Sequence, residues 1–143
     1  MTLSLLETVF LLDESLDQAV AEALRLVGYG FTTVFRVFPG RTRVPDPEII
    51  EWLHQNDSVW VHADDKAKKE HGKLVIAKNI RTLWVYRPRG MMTGAEQLRI
   101  LSYVLPILLD NYRQNPSRKH YAADVLGQPP RTKIRLRQYQ VRG

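Results

Sequence analysis

The chain contains no cysteine, which excludes disulfides, thiolate metal sites and a thiol nucleophile together. No apolar run is long enough to span a bilayer, and the opening MTLSLLETVFLL has neither a basic leader nor a small-residue cleavage motif. The expected setting is therefore the cytoplasm, with no membrane partner. The four histidines form no HxxxH or HExxH pair, which argues against zinc. GxxxxGKS/T and GxGxxG are both missing, and with them the loops that cradle nucleotide cofactors. Ser15 has no evident base partner, so a Ser–His–Asp arrangement finds no support either.

What is present is an ordinary soluble composition, 143 residues with 44% apolar and 25% charged, enough for a single domain with a core that needs no covalent staples. The charge is unevenly spread. Residues 1–65 hold four Lys and Arg against eleven Asp and Glu, a balance of −7, while residues 66–143 hold seventeen against four, a balance of +13. An acidic centre beside a basic surface is the arrangement that attracts a polyanion.

TVFLL (8–12) is short, apolar and abruptly ended, as a buried strand is. Ser15 and Gln18 have capping-box spacing, and Leu16, Val20, Ala23, Leu24 and Val27 recur at helical spacing up to Gly28 and Gly30. FTTVFRV (31–37) is β-branched and aromatic and reads as strand. Asp46-Pro47 reads as N-cap and first-turn proline of a helix through Ile49, Ile50 and Leu53. VWVHA (59–63) and RTLWVY (81–86) are further strands, separated by a polar helical stretch at 66–79. Thr93 and Glu96 make a second capping box for a long helix over 93–114, apolar round much of its circumference. Beyond Asn115 the pattern weakens, and QPPRTKIRLRQYQVRG is compatible with an edge strand, a swapped arm or disorder. Strands alternating with helices predict an α/β fold with a mainly parallel central sheet and helices on both faces.

In such sheets ligands sit outside the carboxyl ends of the strands. Two strands end there on paired acids, Asp13-Glu14 and Asp64-Asp65, and Asp46 opens a helix at the same edge. Each acid has a plain structural explanation as a cap or a solvated side chain. As a set they predict a site for a hard cation, Mg²⁺ or Mn²⁺, since oxygen-only ligands select such ions and carboxylate-bound Mg²⁺ serves phosphate chemistry. Trp52, Trp60 and Trp84 lie in apolar runs and read as core, and His62 as a packed bystander near the acids.

The first strand ending in Asp-Glu-Ser-Leu, the segment DPEII, and the strand running into Asp-Asp-Lys resemble the PIN-like domains, nearest the Mut7-C-type or VapC-toxin-like ribonucleases, over about residues 8–90. The resemblance implies an α/β/α sandwich with Mg²⁺- or Mn²⁺-dependent endoribonuclease activity. It implies the toxin component of a type II toxin–antitoxin pair, with an antitoxin as partner and self-association common. By position, Asp13, Asp46 and Asp64 match the catalytic acids, with Glu14 and Asp65 as further metal ligands and Glu48 as a secondary candidate. His62 stands where the family often has a hydroxyl. Residues 1–115 then form the nuclease domain and 116–143 a basic C-terminal extension of it. Arg41, Arg43, Lys66, Lys68 and Lys69 are the expected RNA contacts, and the long helix with the tail is the expected surface for a second copy or an antitoxin. Two other readings stand beside this one: a receiver-like Mg²⁺-dependent phosphoacceptor domain, and a catalytically inactive PIN-like binding module.

Overall fold

A computed structural model of the chain describes residues 8–64, 71–87, 92–128 and 130–142. Among these residues six strands form one sheet in the order β2-β1-β3-β4-β5-β6: β1 (Val9–Leu12), β2 (Gly30–Thr33), β3 (Val59–His62), β4 (Arg81–Tyr86), β5 (His120–Leu126) and β6 (Lys133–Gln138). The first five are parallel and β6 closes the sheet antiparallel to β5. The helices among the described residues are α1 (Gln18–Leu26), α2 (Val34–Val37), α3 (Asp46–Gln55), α4 (Gly72–Ala77) and α5 (Gly94–Gln114).

Alternate strand residues face opposite sides, and each side has its own core. On one side Phe10, Leu12, Val59, Val61, Leu83, Val85, Tyr121 and Ala123 pack against α1 and α5. On the other, Leu11 and Trp60 pack against Ile49, Ile50 and Leu53 of α3 and Val75 of α4. The result is the expected α/β/α layering.

Several local readings are corrected. FTTVFRV is not one strand: β2 ends at Thr33, whose hydroxyl accepts from the Arg36 amide at 3.2 Å and caps the short α2. The cap of α1 is Asp17, bonded to the Ala19 amide at 2.9 Å, and not Ser15. Asp46 is the first residue of α3 and not its cap, that place being taken by Pro45. Of the stretch 66–79, the described helix begins at Gly72. The faded pattern after Asn115 conceals β5, a buried central strand, and of the alternatives for the basic tail the structure has the edge strand, β6, so 120–126 and 133–138 belong to the sheet itself. The capping box of Thr93 and Glu96 on α5 is formed. The broad apolar arc of α5 is used within the molecule, where it meets α1 as well as β5 and β6. Among its apolar residues Tyr103 and Ile107 are left exposed.

Candidate functional site at the β1/β3 crevice

The chain leaves β1 through α1 to β2 on one side, then crosses by α3 on the opposite face to β3 on the other side. The direction of winding reverses between β1 and β3, and such a switch point opens a crevice at the carboxyl ends of the strands. Asp13 is the first residue past β1 and Asp64 the second past β3, so both acids lie at this crevice.

Asp13 is 1% exposed. Its amide continues the ladder by donating to the Val61 carbonyl at 2.8 Å. Its carboxylate accepts from the Ser15 amide at 3.1 Å and, at 3.4 Å, from the Trp60 indole N–H. Ser15, no longer a helix cap, joins the two strand ends: its hydroxyl accepts from the Ala63 amide at 3.0 Å. His62 is fully buried with its ring against Trp60. The Ala63 carbonyl accepts from the Trp84 indole N–H at 3.2 Å. Glu14 and Asp64 are exposed.

Asp46 stands at the same edge because α3 runs from there back to the start of β3. Its carboxylate meets Nε2 of His71 at 3.1 Å, and His71 is the residue before α4. Glu48 pairs with Arg41 on the surface, so Arg41 has its charge offset locally, while Arg43 is exposed. The hydrogen bond from Arg41 holds the Glu48 carboxyl below the usual range and raises the guanidinium in turn. Asp65, Lys66, Lys68 and Lys69 lie outside the described residues. Among the described residues no group of three His, Asp or Glu side chains stands close enough to hold a metal ion. Asp13, Asp46 and Asp64 share an edge, and Asp46 is engaged with an imidazole there.

Sequence reasoning missed Ser15 as a strand-end tie and His71 as the partner of Asp46. It also missed Arg87, whose side chain is nearly buried between Glu96 at 2.5 Å and Gln128 at 2.9 Å at the end of β4. A signal existed for Arg87, a cation directly after an apolar strand. None existed for His71, which lies 25 residues from its partner.

Fold and crevice together define a doubly wound α/β/α sandwich with a buried carboxylate at its switch point. Comparison with family models, curated proteins and solved structures returned no match. No helix among the described residues is long and apolar enough to cross a membrane.

Proposed function

We propose that the protein is a metal-dependent endoribonuclease acting at the β1/β3 crevice. The observation that carries the reading is the buried carboxylate of Asp13 at the switch point, oriented by Ser15 and Trp60, with Asp64 on the neighbouring strand end. Mg²⁺ is commonly held by one or two carboxylates with waters and substrate phosphates completing its shell, so a donor set smaller than three protein ligands fits this ion. When bound, Mg²⁺ or Mn²⁺ supplies Lewis-acid polarisation of the scissile phosphate. Asp13 and Asp64 would hold it, with Glu14 and Asp65 as neighbours in sequence. Asp46, kept in place by His71, would orient a water on the same edge. The toxin role and its antitoxin rest on the PIN-like resemblance alone. Growth arrest on expression, relieved by the product of an adjacent gene, is the outcome that supports them.

The test is cleavage of single-stranded RNA in Mg²⁺ with and without EDTA, alongside Asp13→Asn and Asp64→Asn. Loss of cleavage in both variants, with Mn²⁺ binding weakened in a paramagnetic titration, supports the reading. Full activity in Asp13→Asn would falsify it. The variant is expected to be less stable than the parent by about 1 kcal/mol, because an amide presents a donor to one of two donors that now meet oxygen.

One observation favours a second reading. The order 2-1-3-4-5 of the parallel strands is that of flavodoxin-like folds, and the acids after β1 and β3 also suit a phosphoacceptor. A hydroxylamine-labile phosphoryl group on Asp64 after incubation with acetyl phosphate would favour it over hydrolysis of RNA.

A further inference from the structure

The face of the sheet that carries α3 and α4 is only half covered by them. Its buried apolar cluster takes Leu11 and Trp60 from the strands, both on the β1 and β3 side, and is closed by Val141 and one flank of Tyr139 from the tail. Over β4 to β6 the same face presents aromatic rings and cations. Tyr86 and Trp84 have ring centroids 4.6 Å apart, Trp84 and Tyr139 5.8 Å, and Tyr139 and His120 5.9 Å. These four rings make a row from the carboxyl end of β4 to the opposite edge. The row begins beside the candidate site, because Trp84 donates to the carbonyl of Ala63, the residue before Asp64.

Cations flank the rings. Arg135 and Arg137 both reach Oδ2 of the buried Asp124, at 3.1 and 2.6 Å. One carboxylate thus orients two guanidiniums and leaves a positive surplus on the face, and Arg137 also lies over the Trp84 ring at 5.9 Å. Beyond Tyr139 are two hollows that share Tyr139 and Gln140. The first, of about 540 Å³, is lined by Arg137 and Arg142, and the second, of about 270 Å³, by Arg118 and Lys119. Among the described residues, neither has an acid in its lining.

We infer that the β4–β6 half of this face is a track for single-stranded RNA, leading from the crevice across Tyr86, Trp84 and Tyr139 to the cations of the two hollows. Rings stack on bases without regard to sequence, and cations beside them meet the phosphates, which is how single strands are held without base-specific readout. The occupant follows from charge complementarity and from the row of rings together: bases stack on the rings while the phosphates between them meet the cations. The choice of RNA over DNA rests on the ribonuclease reading. The binding surface itself does not.

The experiment measures binding of a labelled single-stranded RNA dodecamer in EDTA, where metal-dependent cleavage is silent, as a function of salt. The triple variant R118Q/K119Q/R142Q should lower the slope of log affinity against log salt by about 0.7 for each cation in contact with phosphate. Tyr86→Ala should raise Kd by roughly 5-fold or more, the loss of one stacked base, and Tyr86→Phe should restore it. R25Q/R99Q/R113Q, on α1 and α5, is the charge-matched control and should change neither quantity beyond the long-range effect of net charge. Thermal melts verify that each variant is folded. An unchanged slope in the folded triple variant overturns the track, and so does a duplex RNA bound as tightly as the single strand. Tighter binding of the equivalent DNA overturns the assignment to RNA. A track that passes these tests in a protein that never cleaves RNA in Mg²⁺ leaves the track standing and removes the nuclease reading.

Discussion

Tyr112 closes the buried stripe of α5 with its ring edge-on to Tyr121 and the Arg81 guanidinium 5.1 Å above it. Its hydroxyl is buried and has no hydrogen-bond partner among the described residues, and burial pushes its pKa far up. A buried donor without an acceptor costs stability. Tyr112→Phe is therefore expected to stabilise the fold by on the order of 1 kcal/mol in urea titrations; a loss of similar size would point to a partner for the hydroxyl. His120 supplies the second case. Burial, aided by Lys119, lowers its pKa to about 4, and Nδ1 lies 2.9 Å from the Thr82 hydroxyl, which also meets the Tyr139 hydroxyl at 2.7 Å. The unfolded chain takes up this proton near pH 6.5 and the folded chain only near 4, so the unfolded state binds more protons between those values. Stability contributed by the neutral ring is full above about 6.5, falls as the pH drops through that window, and levels off below about 4. His120→Gln should flatten this part of the curve of melting temperature against pH.

At the level of elements, the positions where reading and structure part have physical causes. Thr33 is as good a helix cap as a strand residue, and β-branched neighbours masked that choice in FTTVFRV. Ser15 and Asp17 are both acceptable N-caps by type. The matter is settled by Ala63, a residue 48 positions away whose amide donates to the Ser15 hydroxyl. β5 was illegible because Tyr121, Ala122 and Ala123 are followed by Asp124, an acid out of place in a buried strand until two arginines of β6 are laid beside it. The acids of the crevice were legible as strand-end residues, but their individual engagements were not, since these come from long-range pairs such as Asp46 with His71. Gly72 provides a test of how firmly the tail is seated. A Cβ there would stand 2.0 Å from the Arg142 carbonyl oxygen and 3.5 Å from Cγ1 of Val141, which is part of the buried cluster. Gly72→Ala must displace backbone rather than a flexible side-chain tip, and is expected to cost about 1–3 kcal/mol, as overpacking does. Urea midpoints of this variant and of Val141→Ala would locate the loss at the tail.

For the whole molecule, the division of charge along the chain maps onto structure. The acidic half supplies β1 to β3 and their connections, and the basic half supplies β4 to β6, α4 and α5. The two halves share one sheet, so neither is a unit by itself. Truncation after Asn115 would remove β5, expose the flank of β4 and strip Tyr121, Ala123 and Val125 from the core beneath α5. The fragment 1–115 is expected not to give a cooperative unfolding transition, while the full chain does; a sharp transition in the fragment would show that the first four strands suffice. The last strand also has a consequence for how this edge of the sheet would meet a second copy. A sheet edge offers unpaired amides and carbonyls to any neighbouring strand, and long uncharged edges invite fibres. β6 places Lys133, Arg135 and Arg137 at every second position, so two such edges brought together would crowd six cations, offset only by the two copies of Asp124, into one ladder. Salt shortens the reach of that repulsion from about 8 Å at physiological strength to about 3 Å at 1 M. The edge is therefore guarded against such pairing best in dilute buffer and least in concentrated salt, and light scattering should rise with ionic strength through β6-to-β6 pairing.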